Sequence, residues 1–197
     1  IRGTCDGKKE TVNKMKSLKK VSIALLVVGM SVAFAQDSNS DNHKVSIVIP
    51  QIALLDIEPE ASKDISLSLD APTEAGDPLA EKSDNDLWLN VTSIVSSGAT
   101  RDISVKVDAA LTGIDLKVVS AAYSGAGFGS FGTPQPEVTL STSDQALVSG
   151  IKSGYTADGD GNGFNLTYTA SPKADSEFGD LVSTTGTDIT VTYTLTP

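Results

Sequence analysis

The residues best suited to chemistry form the run Asp158-Gly-Asp160-Gly-Asn162-Gly163. It offers hard oxygen donors at alternate positions followed by glycine, as in the first half of an EF-hand-type calcium loop. Counting from Asp158, the place where a bidentate carboxylate would close such a loop is Thr169, and the residues between alternate as a strand does. Two readings follow. One is a hairpin turn whose Asp, Asn and Gly residues tolerate left-handed backbone angles; the other is a calcium site on Asp158, Asp160 and Asn162, completed by acids from elsewhere in the chain.

A second pattern, Gly127-x-Gly129-x-x-Gly132, matches the dinucleotide fingerprint in its letters. That fingerprint works by opening a helix whose amino end holds a pyrophosphate, and here Thr133-Pro134-Gln135-Pro136 follows instead. The stretch reads as a flexible loop with Phe128 and Phe131 as exposed contact residues. His43 is the only histidine, which excludes a His-based triad or a multi-histidine metal site within one chain. Carboxylates are plentiful but scattered through polar stretches, where solvation accounts for them; a glycosidase-type pair would need only the right separation. The expectation is a protein that is not an enzyme and has no cofactor beyond that calcium. Trp88 stands on the opposite parity from Leu87, Leu89 and Val91, as core on a second face or as a sugar-stacking platform.

The elements that must position these residues are strands. Val45, Ile47 and Ile49 share one face of an extended segment and Val48 lies on the other. Pro50 lacks an amide hydrogen, so it divides residues 43–49 from a second strand at 51–57. Ile65, Leu67 and Leu69 alternate with serines, and residues 70–84, with two prolines and several acids, read as a loop. Period two returns at 87–92, 103–107, 114–118, 138–140, 146–151, 164–168 and 189–195. No window beyond residue 35 sustains helical spacing, and the Ser, Thr and Val content favours strands. Eight to ten short strands separated by turns imply an all-β antiparallel sandwich of immunoglobulin-like type, with a closed barrel as the alternative.

Residues 1–14 carry no periodic apolar pattern and hold Cys5, the only cysteine; they read as translated sequence upstream of the true start. Residues 15–35 follow a secretory pattern, with Lys16, Lys19 and Lys20, an apolar core from Val21 and a small-residue cleavage site at Ala33-Phe34-Ala35. Residues 36–42 form a polar, flexible lead-in and 43–197 a single domain. Seven of the 15 Lys/Arg and two of the 25 Asp/Glu precede Gln36, which leaves a net charge of −15 on the exported part. Such a surface repels nucleic acid and anionic membranes and favours cation binding. Without cysteines, the exported part must be held by burial rather than disulfides.

The leader, the N-terminal apolar strand, the cysteine-free Ser/Thr-rich body and the ending Asp188-Ile-Thr-Val-Thr-Tyr-Thr-Leu-Thr196 together resemble secreted pilin-like domains of Gram-negative bacteria, of the spore-coat-U and fimbrial-subunit type. Asn165-Leu-Thr-Tyr-Thr-Ala-Ser-Pro172 resembles that group's penultimate strand and turn. The disulfide of many pilins is absent. The resemblance implies an extracellular filament built from copies of the chain by donor-strand complementation, with Val45, Ile47 and Ile49 as the inserted residues. Alternatives are a monomeric secreted module binding calcium or a surface glycan and, third, a secreted hydrolase.

Overall fold

A computed structural model describes residues 39–196. The leader, the segment upstream of it and residues 36–38 of the lead-in lie outside the described residues. By internal contacts the chain divides into two units, Ile1–Ile47 and Val48–Pro197. In the first, residues 40–47 form no regular secondary structure and are exposed.

The second unit is all-β and antiparallel. Its strands are β1 (Ile52–Glu58), β2 (Lys82–Ile94), β3 (Arg101–Val107), β4 (Ile114–Ser120), β5 (Phe128–Pro134), β6 (Val138–Thr139), β7 (Gln145–Tyr155), β8 (Phe164–Pro172) and β9 (Val191–Leu195), with two short 3-10 turns. Ladders connect them in the order β6-β4-β8-β2-β7-β3-β9, with β1 added to β2 and β5 to β7. The β2–β7 join consists of two residue pairs, Thr92 with Tyr155 and Ser93 with Gly154. On either side of that join the strands have sandwich character, and β2, β4 and β8 share one core with β3 and β7.

The core follows from strand parity. Leu87, Leu89 and Val91 of β2 and Phe164, Leu166 and Tyr168 of β8 meet Ile103, Val105, Leu147 and Ile151. Leu55 and Ile57 of β1 and Val191, Tyr193 and Leu195 of β9 pack against this cluster half-buried. The Tyr168 and Tyr193 hydroxyls hydrogen-bond each other, tying β9 to β8, a strand with which it shares no ladder. Burial pushes the Tyr168 phenol up to about 12 against the opposing pull of that hydrogen bond, and burial also raises Tyr193.

Three expectations are corrected. Residues 43–49 form no ladder, and β1 starts only at Ile52, past Pro50. Residues 65–69 keep the alternation in burial, with Ile65 and Leu67 on the core, but form no ladder among the described residues. Their side chains satisfy the core while their backbone remains outside the sheet. From Phe128 on the glycine-rich stretch is the strand β5 rather than a loop, and at Gly127 and Gly129 its backbone lies too close to Tyr155 and Gly154 of β7 for a side chain to fit. A Cβ on Gly127 would stand 1.9 Å from the Tyr155 carbonyl oxygen, and one on Gly129 2.3 Å from the Gly154 Cα. Glycine is required there by proximity. Phe131 stacks on Tyr123 at 3.7 Å and joins the core, whereas Phe128 is exposed.

Candidate functional site

Two features stand out from the packed body. The first is the apolar segment ahead of β1. Val45 is 72% exposed, Ile47 81%, Val48 86% and Ile49 70%. Among the described residues no ladder and no backbone–backbone hydrogen bond engages residues 43–49. Four β-branched side chains within five residues are thus exposed on a backbone that forms no ladder with any described residue. β-branching and alternation make this segment prefer an extended form, and the polar residues before it and Pro50 after it bound it.

The second feature is built where β1 meets the turn after β7. In the β1–β2 register Asp56 lies opposite Asn90 and Glu58 opposite Trp88. Because strand side chains alternate, Asp56, Glu58, Trp88 and Asn90 share the face turned away from Leu55, Ile57, Leu89 and Val91. The turn at 157–163 comes to this face. Asn90 Nδ2 donates to the Asn162 carbonyl at 2.9 Å and to the Gly159 carbonyl at 3.4 Å. Thr156 reinforces the contact, its amide donating to the Val91 carbonyl and its hydroxyl accepting the Val91 amide. Asp158 is thereby carried to Asp56 and Glu58, and the three carboxylates offer oxygens within 4.8 Å of one another. Asp56, Asn90 and Asp158 also line one open cleft of about 500 Å³, rimmed by the exposed side chains of Leu54 and Tyr155.

The residues expected at a calcium loop have separate fates. Asp158 joins the carboxylate group. Asp160 is exposed and stands outside it. Asn162 is occupied at both ends: Nδ2 donates to the Asp158 carbonyl at 2.8 Å and Oδ1 accepts the Ala126 amide at 3.1 Å. Its side chain closes the turn and fastens it to the segment before β5, where Ser124 and Gly163 exchange backbone hydrogen bonds. Ala157, at φ 72°, takes the left-handed conformation that opens this turn.

Asp56 and Glu58 went unnoticed in the sequence, although a signal exists: two acids at i and i+2 on the polar parity of an otherwise apolar strand. One oxygen of each is engaged locally, Asp56 Oδ1 by the Ile57 amide and Glu58 Oε2 by the Glu60 amide. Trp88 is half-buried on the same face, and His43 is exposed. No described helix is long and apolar enough to cross a membrane. No family model, curated protein or solved structure matches the chain.

Proposed function

We propose that the protein is an exported structural subunit of an extracellular filament, and that residues 43–49 of one copy complete the β-sandwich of the next. The observation that carries this reading is the exposure of Val45, Ile47, Val48 and Ile49 on a backbone without ladder partners. Burying a large aliphatic side chain is worth about 1.5–3 kcal/mol, so four represent about 6–12 kcal/mol of unused stabilisation. Ordering seven residues costs about 1–2 kcal/mol each. Burial alone therefore comes close to cancelling, and added ladder hydrogen bonds tip the balance toward insertion as a strand. On the receiving molecule a cleft of about 190 Å³, lined by Val107, Ile114, Leu116, Leu140 and Ile189 and also by Asp115, Thr139 and Lys173, has room for one or two such side chains at most.

The pilin-like resemblance agrees with this role, which is a structural one. A segment given to one neighbour while the body accepts from another makes a heterologous contact, which propagates as a fibre. Export by a cleaved leader and an extracellular location belong to the same reading. A direct test uses a chain lacking residues 43–49, to which a synthetic peptide of residues 39–50 is added. The peptide should bind in a one-to-one ratio and raise the thermal midpoint. A truncated protein that ignores the peptide and is as stable as the parent refutes the reading.

A further inference from the structure

We infer that Asp56, Glu58 and Asp158, together with the Asn90 side-chain oxygen, form a calcium site that clips the edge strand β1 to the turn after β7. The inference is independent of filament assembly. It starts from three carboxylates gathered within 4.8 Å from strand β1 and from a turn about a hundred residues later. Like charges at this spacing repel, and each favours the approach of a counter-ion.

The second observation comes from a different group. Asn90 is only 6% exposed, and its Oδ1 is a buried acceptor without a hydrogen-bond partner. Orphaned buried acceptors are uncommon in folded proteins and call for a specific partner. The orientation of the amide is set by its other end, because Nδ2 donates to the Asn162 and Gly159 carbonyls. Asn90 lies opposite Asp56 in the ladder and borders the same cleft as Asp56 and Asp158. An acceptor without a donor, on the same cleft as two of the three acids, matches a cation, which several oxygens can approach at once, better than it matches water, which has two hydrogens to share among them.

The donor set selects the ion. Carboxylate and amide oxygens without nitrogen or sulfur suit a hard cation. One oxygen of Asp56 and one of Glu58 are held by backbone amides, which fixes the carboxylates while leaving their second oxygens available. An irregular set of oxygens drawn from a strand pair and a turn, completed by water, suits calcium, which accepts six to eight ligands, rather than the strict octahedron of magnesium. The Lys63 ammonium is paired with Glu60 at 2.8 Å and feels Asp56 more weakly. With an open cleft, an affinity of about 10⁻⁴–10⁻³ M is expected, the range of extracellular calcium modules.

The test is calorimetric titration of the full chain with calcium chloride, paired with thermal unfolding in calcium and in chelator. The expected result is one site per chain and a higher midpoint in calcium, with both effects weakened at least about tenfold in Glu58→Gln and in Asp158→Asn. Both substitutions remove repulsion, so both chains fold, and in chelator they should be at least as stable as the parent. Asp160→Asn should bind as the parent does. The inference is overturned if calcium up to about 10 mM, well above that range, leaves the midpoint unchanged, if magnesium raises it equally, or if Asp160→Asn loses as much as Asp158→Asn. Because the readout is unfolding and heat, its failure is separable from failure to form filaments.

Discussion

Replacing Tyr193 by phenylalanine should destabilise the protein more than replacing Tyr168 and Tyr193 together. The two hydroxyls are each other's hydrogen-bond partner, Tyr168 is 4% exposed, and Tyr193 is half-buried on the edge strand β9. Removing one hydroxyl leaves the other buried without a partner, at a cost of about 1–3 kcal/mol, whereas removing both trades a hydrogen bond worth about 1 kcal/mol for two apolar edges. The double-mutant cycle should therefore return a coupling of about 3 kcal/mol. The pH dependence gives a second reading of the same pair. Tyr168 titrates at about 12 in the folded protein, raised chiefly by burial, and Tyr193 is raised too, while both ionise near 10 when unfolded. Below pH 10 both states hold these protons and stability is unaffected. Between pH 10 and 12 the unfolded chain releases protons that the folded chain keeps, so stability falls by about 1.4 kcal/mol per pH unit for each tyrosine. Urea unfolding of the four proteins between pH 7 and 11.5 measures both effects. An alkaline loss in the double phenylalanine variant as steep as in the parent, or a single substitution without cost, would refute the assignment.

Other substitutions probe the remaining elements. Gly127→Ala should lower stability by about 2–3 kcal/mol, because its Cβ would have to displace the segment entering β5 from the Tyr155 carbonyl; chemical denaturation reads this directly. Ala157→Gly relieves a left-handed conformation at the turn and should stabilise by about 0.5–1 kcal/mol, visible as a higher thermal midpoint. Leu89→Ala, at a fully buried position between β1 and β8, should cost about 3–5 kcal/mol in the same denaturation assay.

The strands that the sequence made legible are those with one apolar and one polar face, because burial of one face writes itself as period two. Leu87, Leu89 and Val91 or Phe164, Leu166 and Tyr168 are read this way, and both rows are buried as expected. The same logic overreached at 65–69: alternation reports which side chains are buried, and a ladder needs a backbone partner that alternation does not specify. It fell short at β5 and the residue before it, where Gly129 and Gly127 carry no side chain to alternate and close backbone contact replaces side-chain packing. Pro50 was informative, since β1 begins only beyond it. At the acidic site Asp158 was visible because its neighbours are turn formers, but Asp56 and Glu58 reach it through the register of β1 on β2, a long-range pairing absent from any local window. Asn162 resembled a ligand because the side chain that binds calcium well also closes turns well, and here it does the latter.

The most direct test of the assembly proposal is the size and shape of the protein with and without an apolar residue at position 47. Ile47 is 81% exposed, so Ile47→Asp should leave the fold of each copy intact and lower the thermal midpoint only to that of the chain lacking residues 43–49. Sedimentation and negative-stain electron microscopy should find linear polymers for the parent and monomers for Ile47→Asp. Monomers for both, or polymers of equal length for both, would contradict donation of residues 43–49 between copies.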